Sequence, residues 1–266
     1  MRIASVGHGV FAATLIAIGI MGLVKGDFAP VWEPVAKGVP AREVLVYLTA
    51  LISLGSGLGL LWRPTAIFAA RVLLLAILVW MLAFRVPVIL RAPGVAVSWE
   101  GCGETAVIVA AAWVLYAWFA LDWDRRCLSF ASAEGGMRIA RGIFGLALLA
   151  FGVAHFAYVP ETASLVPSWL PAHVAWVYFT GATYIAAGIV MLTGVRAGVR
   201  AQLVAALVAW QMGLFTLLVW LPAVSADPSQ WSETVLSIAL TAGAWVVADS
   251  YSRSMPLVAP GLSPEN

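Results

Sequence analysis

The feature that most constrains this chain is a succession of long apolar runs. A helix needs about 20 apolar residues to cross the hydrocarbon core of a bilayer. Roughly eight such runs occur, at about 5–24, 43–62, 66–90, 101–121, 138–158, 173–193, 198–221 and 231–249. Of the 266 residues 62% are hydrophobic and 11% charged, whereas soluble domains carry about 25% charged residues. The expected fold is therefore an all-α membrane protein of about eight transmembrane helices, with the lipid bilayer as its first partner. A net charge of +2 without a clustered basic face gives nucleic acid no support as a partner. The run after Arg2 shows no convincing cleavage site before the next charged loop, so it reads as the first span and not as a removed signal peptide.

Punctuation agrees with this division. Arg63-Pro64 follows the second run, Gly194-Val195-Arg196 the sixth, and Asp227-Pro228 precedes the eighth as an N-cap aspartate with proline at the first helical position. Lys and Arg are retained on the cytoplasmic side of bacterial-type inner membranes. Arg2, Arg63, Arg71, Arg125, Arg126, Arg138, Arg141, Arg196, Arg200 and Arg253 fall on one set of loops, against Lys25, Lys37, Arg42, Arg85 and Arg91 on the other. Both termini are expected in the cytoplasm. Cys102 and Cys127 lie about a bilayer apart on one helix and cannot pair.

The two halves resemble each other when slid by about 130 residues. The segment from Pro40 to Gly59 matches that from Pro171 to Val190, bringing Tyr47 onto Tyr178 and Gly57 onto Gly188. Trp80 falls on Trp210, Glu104-Thr105 on Glu233-Thr234, and Ala112-Trp113-Val114 on Ala244-Trp245-Val246. An even number of spans per copy makes the repeats parallel, giving two parallel-repeat four-helix bundles. The expected organisation is a first repeat at 1–124, a cytoplasmic connector at 125–137, a second repeat at 138–252 and a disordered cytoplasmic tail at 253–266.

Ionisable residues inside a bilayer are costly and are functional candidates by default. Glu104 and Glu233 each follow a candidate N-cap, Ser98 and Asp227, by six residues, which would put both carboxylates about 9 Å into their helices near the outer surface. Arg85 is at the depth to pair with Glu104, and copy two carries Phe215 there; His155 is at the depth to pair with Glu233, where copy one has Gly22. A histidine–carboxylate pair would titrate near neutral pH and could exchange protons, beside a fixed Arg85–Glu104 ion pair. The plainer reading gives the carboxylates to the helix dipole and His155 to the helix interface. Arg71 is expected to snorkel to the inner headgroups. Trp32, Trp99, Trp169, Trp176 and Trp231 form an expected outer aromatic belt, or else line a ligand pocket that includes Trp99 and Trp231. No nucleophile motif, phosphate loop or metal-ligand spacing is present, so no metal site is expected.

The run Gly152-Val153-Ala154-His155-Phe156, then Val166-Pro167-Ser168-Trp169-Leu170-Pro171, then Tyr178, Gly181 and Ala187-Gly188, resembles the DoxX-like membrane family. The second copy carries the resemblance, and the first resembles a diverged copy without the histidine. The resemblance implies a four-helix bundle per copy and an association with membrane redox chemistry, because some members look like quinone-facing subunits of oxidoreductases. A quinone is the cofactor it suggests, and a soluble redox protein the partner. On this footing the chain reads as an accessory or quinone-site subunit; the alternatives are a transporter or lipid-handling protein, and a purely structural assembly factor.

Overall fold

A computed structural model describes residues 5–193, 199–226 and 230–252. The features at Arg2, Gly194-Val195-Arg196, Asp227-Pro228 and Arg253, the side chain of Arg200 and the tail 253–266 lie outside the described residues. Eight helices are long and apolar enough to cross a membrane: α1 Val6–Lys25, α2 Arg42–Leu61, α3 Arg63–Arg91, α4 Ala96–Phe119, α5 Ala133–Ala157, α6 His173–Thr193, α7 Ala201–Val224 and α8 Trp231–Tyr251. The chain is an all-α, multi-pass membrane protein built from two four-helix repeats. Its outward faces fit lipid and not water: Leu75 is 63% exposed and Leu207 is 67% exposed.

Helix ends follow local chemistry. The Ser5 hydroxyl accepts the His8 amide at 3.1 Å to start α1, and Gly26, at φ 63°, stops it by donating its amide to the Gly22 carbonyl. The start of α4 differs from expectation, because it opens at Ala96 after Val95 and Ser98 is inside the helix. Helices α4 and α8 cross at the centre, where Gly243 lets them meet: a Cβ there would lie 3.0 Å from Val107 Cγ1. The bundles share a wall, since α4 packs extensively on α5 and α1 on α8.

The repeat is visible in matched contacts. A Cβ on Gly19 would collide with Leu54 and the Ala50 carbonyl, and one on Gly152 with Ile185 and the Gly181 carbonyl. Such small-residue faces let helices approach closely in lipid, where association depends on packing contact. His8 packs on Phe119 and Arg141 sits over the Tyr251 ring, again at matching places. Ala41 and Ala172, each after a matched proline, take left-handed φ of 53° and 59° at the heads of α2 and α6.

These contacts correct part of the sequence register. Within uninterrupted helices α4 and α8 the Glu-Thr and Ala-Trp-Val matches cannot both hold, because different numbers of residues separate them. The His8–Phe119 and Arg141–Tyr251 contacts agree with the Ala-Trp-Val match, so Leu236, and not Glu233, is the counterpart of Glu104. Trp80 is 6% exposed and Trp210 is 60% exposed, so they are not equivalent. In the register that sets Pro40 on Pro171, Gln211 stands opposite Trp80 and Thr216, not Phe215, opposite Arg85, and the π-helical turns with their prolines fall about one helical turn further along in copy two. Arg85 Nε donates to Thr105 Oγ1 at 3.0 Å, while Thr216 and Ser237 share a hydrogen bond of 2.6 Å at the matching level.

Both α3 and α7 widen into π-helical turns, at Met81–Arg85 and Thr216–Trp220. Pro87 and Pro222 follow these turns; a proline removes one amide donor and crowds the preceding turn. Arg71 does not reach for headgroups. It pairs with Asp124 of the short helix Asp122–Cys127, a fully buried carboxylate that also accepts from the Tyr116 hydroxyl at 3.1 Å and the Leu121 amide at 2.8 Å. Burial pushes the Asp124 carboxyl up, but the donors of Arg71, Leu121 and Tyr116 outweigh it and hold the carboxyl below its ordinary range.

Candidate functional site

Polar groups concentrate at the face opposite the connector, where α1 ends and α2, α4, α6 and α8 begin. In copy one this end is plugged by its own loop. Phe28, Ala29, Val31 and Trp32 fold back between the helices and are each at most 3% exposed. Trp32, expected in the aromatic belt, therefore lies in the core. The loop is long and turns at Gly26, so an aromatic segment can reach the bundle interior and bury its ring area. Trp32 Nε1 donates to Ser53 Oγ at 2.9 Å, and Trp80 Nε1 donates to the Trp32 carbonyl at 3.2 Å. The two indoles meet edge to face, with centroids 5.1 Å apart. The Asp27–Arg42 ion pair at 2.6 Å, with the Arg42 guanidinium over Phe28, ties down the base of the plug.

Copy two builds the same level differently. Tyr184, the counterpart of Ser53, lies near Gln211, which stands at the level of Trp80. Thr183 Oγ1 donates to Gln211 Oε1 at 2.8 Å. His155 stands over Tyr184 with ring centroids 5.3 Å apart, and its Nδ1 lies 2.8 Å from the Phe151 carbonyl. That hydrogen bond fixes Nδ1 as the protonated nitrogen of the neutral ring and leaves Nε2 as an acceptor. Three helices thus bring His155, Thr183, Tyr184 and Gln211 to one place.

Neither expected pair forms. Among the described residues the ion pairs are Asp27–Arg42, Arg71–Asp124 and Glu134–Arg141. Arg85, 7% exposed, is held instead by Thr105, with Nη1 against Gly101, where a Cβ would be 3.3 Å away. Glu104 is half-buried and within electrostatic reach of Arg85, Glu100 and Glu233. His155 and Glu233 do not meet because His155 faces α6 from α5, whereas exposed Glu233 lies at the head of α8 beside the Lys25–Ser232 hydrogen bond. The structure does gather Arg85, Glu104 and Glu233 into one charged rim, joined by Glu33. The Glu33 carboxyl is pushed up, first by partial loss of water and then by the charges of Asp27 and Glu233, against the pull of Lys25 and Arg85. Trp99 and Trp231 are 43% and 51% exposed at the heads of α4 and α8, and the Trp99 indole donates to the Pro93 carbonyl.

Compared with protein-family models, curated proteins and solved structures, the chain matches none. The DoxX-like resemblance accordingly stands on the motif residues alone. Sequence reasoning passed over Glu33, Glu100, Tyr184 and Gln211. Gln211 was within reach, because an uncharged amide in the middle of an apolar span is itself a polar group that needs a partner in lipid. Tyr184 became legible only once its neighbours were known.

Proposed function

We propose that this chain is a membrane-embedded accessory subunit that holds a small apolar ligand of quinone type for a membrane redox system, with a soluble redox protein as its partner. The row His155, Tyr184, Gln211, Thr183 carries this reading: hydrogen-bonding side chains from three lipid-spanning helices converge where polar groups are expensive unless they have work to do. The DoxX-like motif residues, His155 and Gly181 among them, support it. The neighbouring rim of Arg85, Glu104 and Glu233 supplies charge at the mouth, and Trp99 and Trp231 flank it at the interface. The loop-by-loop bias of Lys and Arg supports an inner membrane with both termini in the cytoplasm.

The direct test is extraction of the protein in mild detergent, followed by mass spectrometry of what stays bound. A stoichiometric quinone supports the proposal; phospholipid alone removes it. A second reading, transport or lipid handling, is favoured by one observation, the paired π-helical turns before Pro87 and Pro222 in α3 and α7, since matched irregular helices recur in transporters. Uptake of labelled lipid or solute by proteoliposomes would separate it from the first.

A further inference from the structure

The hairpin of α2 and α3 leaves a groove on the lipid-facing side of copy one. Only Trp62 separates the two helices, so they leave their link side by side. Near the link they touch, because a Cβ on Gly59 would stand 2.8 Å from the Ala69 Cβ. Thr65 Oγ1 donates to the Gly59 carbonyl at 2.8 Å and ties the hairpin there. One turn further from the link, a Cβ on Gly55 would meet open space. The groove has a volume of about 530 Å³ and is lined by Gly55, Gly59, Leu51, Trp62, Phe68 and Val72 among others. That is within the about 300–1,000 Å³ of small-molecule sites.

Its length fits one leaflet. From Leu51 to Trp62 the chain advances 11 residues, about 16 Å of helix, against half of a hydrocarbon core of about 30 Å. The groove therefore runs from near the middle of the span to the edge of the bundle on the connector side. One wall is held in place there: the Arg71 guanidinium, paired with Asp124, lies over the Phe68 ring at 5.7 Å from its centroid. At the same edge Arg63 is exposed and has no carboxylate partner among the described residues. Asp124 and Glu134 are taken up by Arg71 and Arg141. Among the described residues exposed Arg63, Arg125, Arg126 and Arg138 outnumber Asp122 and Asp249, the other acids of that face. A positive face at headgroup level attracts anionic lipid. In copy two Ala186, Val190 and Thr193 stand opposite Gly55, Gly59 and Trp62 in the register that sets Pro40 on Pro171. Side chains there replace both glycines and the indole wall is missing, so the site belongs to copy one.

We infer that this groove binds one anionic phospholipid from the leaflet on the connector side, with an acyl chain lying along Gly55 and Gly59 and the phosphate facing Arg63. A neighbouring helix, about 10 Å across, can press on Gly55 but not on Gly59, which Ala69 already covers. The two glycines therefore do not form a seam for helix docking. An acyl chain is thin enough to follow a groove that narrows toward the link, and it gains packing contact along its whole length. Any phospholipid supplies the chain, and the exposed arginines select the headgroup. A guanidinium donates two parallel N–H bonds to a phosphate, whereas a zwitterionic headgroup brings its own cation against this face. The site lies at the opposite membrane end from His155 and Tyr184, and stands whether or not those residues hold a quinone.

The test titrates the full-length chain, delipidated in mild detergent, with phosphatidylglycerol or with phosphatidylcholine of the same acyl chains, read by native mass spectrometry. The wild type is expected to saturate at one tightly held phosphatidylglycerol, bound about tenfold more tightly than phosphatidylcholine. Gly55→Leu fills the groove from a position where its side chain meets no protein atom. It is expected to weaken both lipids about tenfold without lowering the unfolding transition. Arg63→Gln is expected to abolish the preference for phosphatidylglycerol and to leave phosphatidylcholine binding unchanged. Arg91→Gln, an exposed cation at the other end of α3, is expected to change neither. Wild-type binding in Gly55→Leu overturns the placement of the chain. Equal loss of preference in Arg63→Gln and Arg91→Gln overturns the headgroup contact. Lipid uptake without saturation, alike in every variant, overturns the site. A wild-type dimer that Gly55→Leu breaks, with neither lipid bound, gives the groove to a second copy and overturns it as well.

Discussion

Gly181 faces His155 so closely that a Cβ on the glycine would stand 2.9 Å from the Cβ of the histidine. The mirrored arrangement in copy one is Ala50 against Gly22, with the same 2.9 Å separation. Each copy places one side chain at this crossing of its first two helices and leaves the opposite position bare. That exchange is what admits an imidazole to copy two.

Gly181→Ala is therefore expected to force α5 and α6 apart or to turn His155 off Tyr184, at about 1–3 kcal/mol, the usual cost of overpacking. The imidazole resonances of His155 would report it. An unshifted His155 spectrum in a protein of unchanged stability would show that the crossing has more room than the geometry gives.

The Arg85–Thr105 hydrogen bond predicts an asymmetry. Thr105→Val leaves the Arg85 Nε without its acceptor in a buried place and is expected to cost about 1–3 kcal/mol. Arg85→Met removes the charge and its desolvation together, and is expected to fall within about 1 kcal/mol of wild type. Reversible unfolding in mixed micelles measures both, and equal losses would contradict the assignment.

The Asp124 site predicts an acid-sensitive connector. Its carboxyl is held below the ordinary range in the folded chain, so its contribution is complete above the unfolded value near 3.8 and is lost as pH falls below that, through the folded value. Asp124→Asn is expected to cost roughly 2–3 kcal/mol at neutral pH, less than the about 3–5 kcal/mol of a fully buried pair, because the Arg71 side chain keeps 28% exposure. Hydrogen exchange in the segment 120–132 should rise at acid pH in the wild type and already at neutral pH in the variant.

Ala41 and Ala172 hold left-handed backbone, which costs a non-glycine residue about 1–2 kcal/mol. Glycine at either position is expected to stabilise the fold by a few tenths to about 1 kcal/mol, since its greater freedom in the unfolded chain takes back part of the gain. A lower midpoint in a thermal scan of either variant would argue against the strain.

The span boundaries could be read from the chain because a bilayer imposes one length on every crossing, and Arg63-Pro64 or the apolar run of α6 obeys it without help from neighbours. Equivalence between the copies was readable where packing or a helix start constrains the residue, as at Gly57 and Gly188, at Pro40 and Pro171, and at the two Ala-Trp-Val runs. It failed at Glu104 and Glu233, one half-buried and one exposed, where a two-residue identity recurs at positions three residues apart in the two helices. The expected pairs failed for a related reason: depth along a helix follows from counting, but the direction in which a side chain leaves the helix depends on which helix lies beside it. His155 and Glu233 share a side of the membrane and face different neighbours.

Apolar run length, loop charge and the duplicated glycines were enough to specify a lipid-dissolved, eight-helix, twofold-repeated chain, because hydration cost and helical rise act on each segment alone. The plug of Trp32, the burial of Asp124 with Arg71 and the meeting of His155, Tyr184 and Gln211 came only from the assembled fold. Each depends on residues distant in the chain sharing one small volume, and close packing of several helices at once settles which of them do.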